Sequence, residues 1–311
     1  MRLLKLVPDN TKIPFMAVHK VGLVFSALAV ILSVGLILFK GLNFGIDFQG
    51  GILIEVRYAQ AADLGAMRNN LGSLDLGDVN LQEFGQATDV LIRIAAQEGD
   101  AAAQQTAVDA VKTALGPGVD YRRVEFVGPQ VSGELLMDGV LATIAAMAAM
   151  LIYIWLRFEW QFGIGAVVAL IHDVVVTLGV FSLLGLEFNL STVAAVLTIA
   201  GYSINDTVVI YDRVRENLRK YKTMPVTELL DDAVNSTLSR TLMTSLTTLI
   251  ALFALFFLGG EVIHGFSFAM IFGIIVGTYS TVWVAVPILL YTNVASRARN
   301  AGDSQEAAET P

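Results

Sequence analysis

The chain has 311 residues, of which 55% are hydrophobic and 15% charged, and its formal net charge is −8. With a mean hydropathy of +0.66, this composition excludes an ordinary soluble globular protein and indicates a polytopic membrane protein. The absence of cysteine excludes disulfides and thiolate metal sites, and the three histidines are scattered along the sequence. No nucleotide-binding glycine loop is present. We therefore expect no metal and no cofactor, and no nucleic acid as partner.

Apolar runs of about twenty residues predict six membrane spans. The first run follows several basic residues, as in a signal peptide, but it lacks a small-x-small cleavage site, so we expect a retained anchor. An even number of spans places both termini on one side of the membrane. The predicted spans cover residues 20–39, 139–156, 162–184, 190–211, 241–258 and 265–291.

Lysine and arginine near the ends of the spans predict the orientation. Basic residues occur in the N-terminal segment 1–19, in the connection 213–239 and in the tail 292–311, so this side is predicted to be cytoplasmic. The loops 185–189 and 259–264 contain acids but no lysine or arginine. These loops are therefore predicted to face outward.

Residues 40–138 are too long for a connecting loop and are predicted to form an outward-facing domain. Apolar alternation and turn residues predict a β-α-β-β-α-β order, which is the split arrangement of ferredoxin-like domains. No nucleophile or acid–base pair stands out within it, so the domain is predicted to bind or move rather than catalyse. Its predicted strands are 52–58, 79–84, 90–95 and 121–127, and its predicted helices are 61–71 and 101–115.

The fourth predicted span contains the sequence GYSINDTVVIYDRVREN at residues 201–217, which places Asp206 inside an otherwise apolar helix. An ionised aspartate deep in a bilayer costs about 2.5–3.5 kcal/mol, and such acids usually mark ion or proton pathways. The alternatives are hydration near the cytoplasmic end and a helix-packing hydrogen bond. We predict that Asp206 carries protons, with Tyr202, Ser203 and Asn205 as supporting residues on the same helix.

Arg240 lies at the start of the fifth predicted span and is the expected partner of Asp206, because an arginine stays charged and can compensate a carboxylate or repel an incoming proton. Thr244 and Thr248 follow it at four-residue spacing and form a hydroxyl stripe on one helical face. Such a stripe either lines a hydrated path or bonds back to helix carbonyls.

The third predicted span contains His172 and Asp173. Adjacent helical residues face different directions, so we do not expect these two to form a dyad. Asp173 either joins the proton pathway or satisfies buried donors from another helix, and His172 is predicted to be a satisfied core histidine. Between the fourth and fifth spans, apolar residues on one helical side predict an amphipathic helix at the cytoplasmic interface. The residues from 298 to 311 are small and polar, which is typical of disorder.

The sequence LNFGIDFQGG at residues 42–51, together with the motif at residues 201–217, resembles the SecF family, the smaller membrane subunits of the SecDF protein-translocation factor. The resemblance covers about residues 20–295. It implies six spans, a periplasmic ferredoxin-like domain after the first span, and membership of the resistance-nodulation-division superfamily, whose members couple proton flow to movements of outward domains. Many relatives have a small hydroxyl residue where Gln49 stands.

The glycine-rich segment after the first span has two interpretations. Gly45, Asp47, Gly50 and Gly51 form either a hinge between the membrane and the domain or an ordinary turn that leads into the first strand.

The resemblance implies a multi-pass protein of the bacterial inner membrane that is not an enzyme. It would use the proton-motive force, with protons as the coupling ion, to promote late export of unfolded secretory polypeptides. The implied partners are a SecD-type subunit, the SecYEG channel and YajC.

Two alternatives remain. One is a proton-coupled exporter of small molecules or lipids from the same superfamily. The other is an intramembrane aspartyl protease, suggested by Tyr211-Asp212, although its second aspartate is missing because Asp47 is predicted on the opposite membrane face.

Overall fold

A computed structural model describes residues 8, 11–84, 86–97, 99, 101–260, 263–292 and 294. Most of the predicted tail 292–311 and the first seven residues lie outside the described residues. The chain divides into two compact units. A helical unit contains the chain up to Asn43, Thr143–Leu186 and the chain from Ser191 onward. An α+β unit contains Phe44–Ala142 and Glu187–Leu190.

Six helices of the described chain are long and apolar enough to cross a membrane, as the sequence predicted. We refer to them in chain order as the first to the sixth span. The first includes a short 3-10 turn at Phe15–Val18. The spans are Phe15–Phe39, Pro129–Arg157, Trp160–Leu184, Leu190–Lys220, Val226–Leu258 and His264–Tyr291.

The second and fourth spans are longer than their apolar runs. The second begins at Pro129, ten residues before the predicted start, because proline is well tolerated in the first turn of a helix. The fourth continues to Lys220, past the last apolar residue of the predicted span. Polar ends extend these helices beyond the segments that hydropathy detects.

The amphipathic helix predicted between the fourth and fifth spans is not a separate interfacial helix. Pro225 precedes a single helix, Val226–Leu258, and no glycine or proline interrupts it before Gly259. Leu229, Leu230 and Val234 are fully buried in the core of the helical unit. The apolar side of this segment therefore packs against protein and not against the lipid interface.

The sixth span contains a π-helical turn at Thr281–Ala285, between α-helical segments His264–Ser280 and Val286–Tyr291. Pro287 is the second residue after this turn, and a proline removes one backbone donor and displaces the carbonyl four residues before it. The Tyr211 hydroxyl donates a hydrogen bond of 2.9 Å to the carbonyl of Ala285. A side chain of the fourth span thereby satisfies a carbonyl at the end of the π turn.

The strands, numbered in chain order, are β1 Asn43–Phe44, β2 Gly51–Arg57, β3 Val79–Phe84, β4 Gln86–Ile94, β5 Asp120–Val127 and β6 Glu187–Phe188. The α+β unit contains a four-stranded antiparallel sheet and part of a two-stranded one. The larger sheet has the order β3-β4-β2-β5, and between β2 and β5 the chain forms helices at Leu64–Gly72 and Ala101–Leu115. The smaller sheet pairs β1 with β6.

The central strand β2 organises the core of the α+β unit. Ile54 is fully buried and lies opposite Ile92 on β4 and Val124 on β5. Alternate residues of a strand point to one face, and the face of β2 that includes Ile54 packs against both helices, through Leu71 of the first and Val111 of the second. The β-α-β-β-α-β order predicted for this segment is the order observed.

Candidate functional site

Asp206 lies near the middle of the fourth span, Leu190–Lys220, and its side chain is 3% exposed. Its Oδ2 atom is buried and has no hydrogen-bond partner among the described residues. Most buried polar atoms in folded proteins are paired, so a bare carboxylate oxygen inside a helical bundle requires a specific reason. Asp206 is therefore a candidate functional residue of the fourth span.

Arg240 lies on the fifth span and is exposed. Its charge interacts electrostatically with Asp206. No hydrogen bond or ion pair joins the two side chains among the residues that the structure describes. The structure therefore shows no direct contact between the two side chains, and their partnership stays a prediction.

Asp173 lies on the third span, and its surroundings are the opposite of those of Asp206. It is 0% exposed, and its Oδ2 atom accepts hydrogen bonds from Ser203 at 2.5 Å and from Ser280 at 2.8 Å. Its Oδ1 atom lies 2.9 Å from Nδ1 of His172. Asp173 thus ties the third, fourth and sixth spans together.

Two predictions about these residues are wrong. His172 and Asp173 do contact each other, because a long imidazole side chain and a carboxylate with two oxygens can bridge the angle between neighbouring helical positions. Ser203 was expected to support Asp206, but its hydroxyl donates to Asp173 instead. The third span approaches that side of the fourth, so the carboxylate across the helix interface is within reach of the Ser203 hydroxyl.

The other predicted supporting residues are not brought together around Asp206. The Tyr202 hydroxyl is buried and has no hydrogen-bond partner in the described chain, whereas Asn205 is exposed. Thr244 donates to the carbonyl of Thr241, and Thr248 donates to the carbonyl of Thr244, each at 2.9 Å. The hydroxyls of both threonines thus bond back to their own helix, which is one of the two interpretations left open above.

A row of polar residues on one face of the fourth span was not identified from the sequence. Ser203, Thr207 and Tyr211 recur every four residues, so they share one helical face. The Thr207 hydroxyl lies 3.1 Å from the hydroxyl of Thr281, and Tyr211 bonds to Ala285, so this row contacts the π turn of the sixth span. The four-residue spacing was the signal that could have identified the row.

The glycine-rich segment lies at the start of the α+β unit. Gly50 has φ +72° and follows the short helix Ile46–Gln49, and Gly51 begins β2 with φ +118°. A Cβ atom on Gly51 would collide with the carbonyl oxygen of Ile94. Both positions thus require glycine for a turn that leads into β2, while the hinge stays a prediction. Gln49 is exposed.

Gly45 and Asp47 contact the chain that precedes the fourth span. The backbone N–H of Gly45 donates to the carbonyl of Phe188 at 2.9 Å. The Asp47 Oδ2 atom accepts a hydrogen bond of 2.9 Å from the N–H of Leu190, the first residue of that span.

Asp212, the aspartate considered above for a protease, forms an ion pair with Arg157. Asp212 accepts hydrogen bonds of 2.9 and 3.0 Å from Nη2 of Arg157, and both side chains are more than one third exposed. Within the described part of the chain, no three His, Asp or Glu side chains are grouped closely enough to hold a metal ion.

Comparison with known proteins relates this arrangement to protein export. Residues 107–295 match the family described as protein export membrane protein SecD/SecF, C-terminal, and residues 35–62 match the SecD/SecF GG motif. The protein translocase subunit SecF of Cereibacter sphaeroides is 49% identical over 300 residues, which cover 94% of this chain and 93% of that protein. SecF of Rickettsia bellii is 48% identical over 290 residues, which cover 92% and 95% of the two chains.

Two solved structures are also similar. The crystal structure of SecDF from Thermus thermophilus, a translocon-associated membrane protein, is 33% identical with a TM-score of 0.84. The match covers 92% of this chain and 39% of that longer chain. SecDF in a super-membrane-facing form is 30% identical with a TM-score of 0.63, covering 97% and 41%. With two motifs, six spans and nearly full-length similarity, the chain belongs to the SecF family of protein-export membrane proteins.

Proposed function

We propose that the protein is an accessory subunit of the Sec translocase that uses the proton-motive force, together with a SecD-type partner, to promote late export of unfolded proteins across the bacterial inner membrane. The observation that carries this proposal is the unpaired carboxylate oxygen of Asp206, buried in the middle of the fourth span of a SecF-family chain. Intramembrane acids of this kind usually belong to ion or proton pathways.

A SecD-type chain would supply the other half of the functional unit. The similar SecDF chain is much longer, and this protein covers only 39% of it. The wide apolar surface of the first span, where Phe39 and Leu38 are mostly exposed, fits burial in lipid or against a second membrane chain. The SecYEG channel and YajC are the further partners, with unfolded secretory polypeptide as substrate.

The α+β unit would face the periplasm as a ferredoxin-like domain. Its strand order β3-β4-β2-β5, with two helices packed on one face, supports this assignment. The basic residues of the connection 213–239 support a cytoplasmic location for that connection and for both termini. In this orientation the domain would meet a polypeptide as it emerges outside the membrane.

The proton gradient would act on Asp206. Each charge that crosses the membrane releases about 2.3 kcal/mol per 100 mV. A proton on Asp206 cancels its attraction to Arg240, so the fourth and fifth spans can repack, and loss of the proton restores the attraction. Asp173 remains in place during this cycle, because its hydrogen bonds to Ser203 and Ser280 hold it. No cofactor is needed, since the proton is the coupling ion.

A reconstituted system tests this function. The protein would be combined with its SecD-type partner and the channel in vesicles, and late translocation of an unfolded secretory protein would be followed with and without an ionophore that dissipates the proton gradient. We expect stimulation by the protein that disappears with the ionophore. Stimulation that is insensitive to the ionophore would overturn the proton coupling, and selective binding of hydrophobic efflux substrates would favour an exporter.

A further inference from the structure

The short segment between the third and fourth spans belongs to the α+β unit, although its neighbours on both sides belong to the helical unit. Within this segment β6, Glu187–Phe188, pairs with β1, and the N–H of Gly45 donates to the carbonyl of Phe188 at 2.9 Å. Leu190 then begins a single helix that continues to Lys220. One end of the fourth span is therefore built into the α+β unit.

Two charged contacts hold this segment. Arg93 lies on strand β4 of the larger sheet. Its Nη2 atom lies 2.7 Å from Oε2 of Glu187, and the two side chains are 13% and 21% exposed. Asp47 accepts a hydrogen bond from the N–H of Leu190. The first N–H groups of a helix have no partner within the helix, and a carboxylate at this end also interacts favourably with the helix dipole.

Apolar and steric contacts complete the arrangement. The rings of Phe44, Phe48 and Phe188 lie 5.9 to 6.1 Å apart, centre to centre. A Cβ atom on Gly45 would collide with the carboxylate of Glu187, which would have to move, and would lie 3.2 Å from Cβ of Asn189. The segment is thus held by backbone, charge and aromatic contacts at once.

We propose that Arg93, Glu187 and Asp47 form a clamp that holds the α+β unit to the start of the fourth span. Through this clamp, a movement of the α+β unit and a movement of the helix that carries Asp206 would be coupled. The transmission rests on the function proposed above, whereas the clamp itself does not. Asp206 lies sixteen residues after Leu190, about 24 Å along the helix axis at 1.5 Å per residue. A continuous helix passes on both displacement and rotation along its axis.

The three residues of the clamp are positioning residues, because they act on Asp206 through the helix and not by contact. Glu187→Arg would place two cations together, and Arg93→Glu combined with Glu187→Arg would restore the pair in reverse. Arg122→Glu is the matched control, since it also reverses one charge of an ion pair in the same unit, in this case an exposed one with Asp120.

The first test measures the clamp without reference to export. Amide hydrogen exchange of the full-length protein would be followed in a peptide that covers residues 187–195. We expect exchange about fivefold faster in Asp47→Ala, because the helix loses its cap. Asp63→Ala is the control, as it removes the cap of the helix Leu64–Gly72 and should affect only that helix. Unchanged exchange at residues 187–195 would refute the clamp.

The second test measures transmission in the reconstituted system with the SecD-type partner. We expect Glu187→Arg to lower ionophore-sensitive stimulation by about fivefold or more, because a mostly buried charge loses its partner. The reversed pair should recover most of the loss, and Arg122→Glu should retain full stimulation.

Faster exchange with normal export in Glu187→Arg would refute transmission and leave the proposed function intact. Failure of the wild-type protein to respond to the ionophore would refute the proposed function, while hydrogen exchange still decides on the clamp. Membrane insertion and copurification of the partner would be measured for every variant, so that a folding defect is recognised as such.

Discussion

The Ser203 hydroxyl donates its hydrogen bond to Asp173 on the third span, at 2.5 Å, although Asp206 lies one turn further along the helix of Ser203 itself. The consequence is a clear difference between Asp173 and Asp206. Both carboxylate oxygens of Asp173 lie within hydrogen-bonding distance of a neighbouring side chain. The Oδ2 atom of Asp206, in contrast, has no hydrogen-bond partner among the described residues. Substitutions of the two acids should therefore fail in different ways.

Replacement of Asp206 by asparagine should abolish the proton-dependent part of export while the protein still inserts and binds its partner. The asparagine keeps the size of the side chain but cannot exchange a proton. Late translocation in vesicles should fall to the level that the ionophore leaves in the wild type. If Asp206→Asn retains full, ionophore-sensitive activity, the carboxylate serves only for packing.

Asp173→Asn should instead lower stability. The amide nitrogen of asparagine cannot accept the hydrogen bonds that the carboxylate receives from Ser203 and Ser280, and leaving one buried hydroxyl unpaired costs about 1–3 kcal/mol. We expect a lower melting temperature in detergent and a smaller loss of export than in Asp206→Asn. Equal export losses with unchanged melting would place Asp173 in the proton pathway.

Removal of the Arg240 charge should reduce coupling. Arg240→Met keeps much of the apolar stem and loses the attraction to Asp206, and we expect proton-dependent stimulation to fall by about tenfold, a typical size for coupling between two sites. Arg240→Lys is the matched control, because it keeps the charge and no direct hydrogen bond has to be rebuilt. If Arg240→Lys lowers proton-dependent stimulation as much as Arg240→Met does, the positive charge at this position does not determine the coupling.

The orientation of the chain can be tested with single cysteines, since the natural sequence contains none. Asn69 and Thr223 are exposed, and they lie in the α+β unit and in the connection between the fourth and fifth spans. A membrane-impermeant maleimide added to intact spheroplasts should label Asn69→Cys at once and Thr223→Cys only after permeabilisation. The reverse pattern would invert the topology.

The α+β unit should lose stability in acid because of one ion pair. Asp89 is almost fully buried, and its hydrogen bonds from Arg57, at 2.5 and 2.6 Å, hold the pKa of that carboxyl below its usual value. A carboxyl with a lowered pKa stabilises the fold above its unfolded pKa, about 3.9, and loses this contribution as the pH falls through the folded pKa.

The measurement would use a fragment spanning residues 43–138, which we expect to fold on its own because its larger sheet and two helices share one core. Denaturant unfolding at pH 7 should show that Asp89→Asn is less stable than the wild type by about 1–3 kcal/mol, since Arg57 is partly exposed and keeps some hydration. The difference should shrink as the pH falls below about 4. A constant difference across this range would mean that the charge of Asp89 contributes nothing.

The sequence predicted the features that local patterns encode. Long apolar runs identified six spans, alternation and turn residues identified the strand and helix order of the α+β unit, and Asp206 stood out because its neighbours are apolar. Each of these signals lies within about twenty residues of chain. Their physical basis is burial of one helical or strand face, which local periodicity reports directly.

What the sequence did not predict depends on contacts between distant segments. Two-residue strands such as β1 and β6 are too short to show any periodicity, and they lie more than 140 residues apart. The partner of Ser203 depends on which helix lies beside the fourth span. The contact of His172 with Asp173 depends on side-chain rotamers, which a helical wheel does not describe.

The fifth span runs without a break from Val226 to Leu258, about 50 Å at 1.5 Å per residue, whereas the hydrocarbon core of a bilayer is about 30 Å thick. A continuous helix carries a displacement along its length, so a shift at Arg240 would reach its end near Val226, where Leu229 and Leu230 are buried in the core of the helical unit. A change in the charge of Asp206 would thus be transmitted beyond the lipid headgroups, as a displacement of the helix end near Val226.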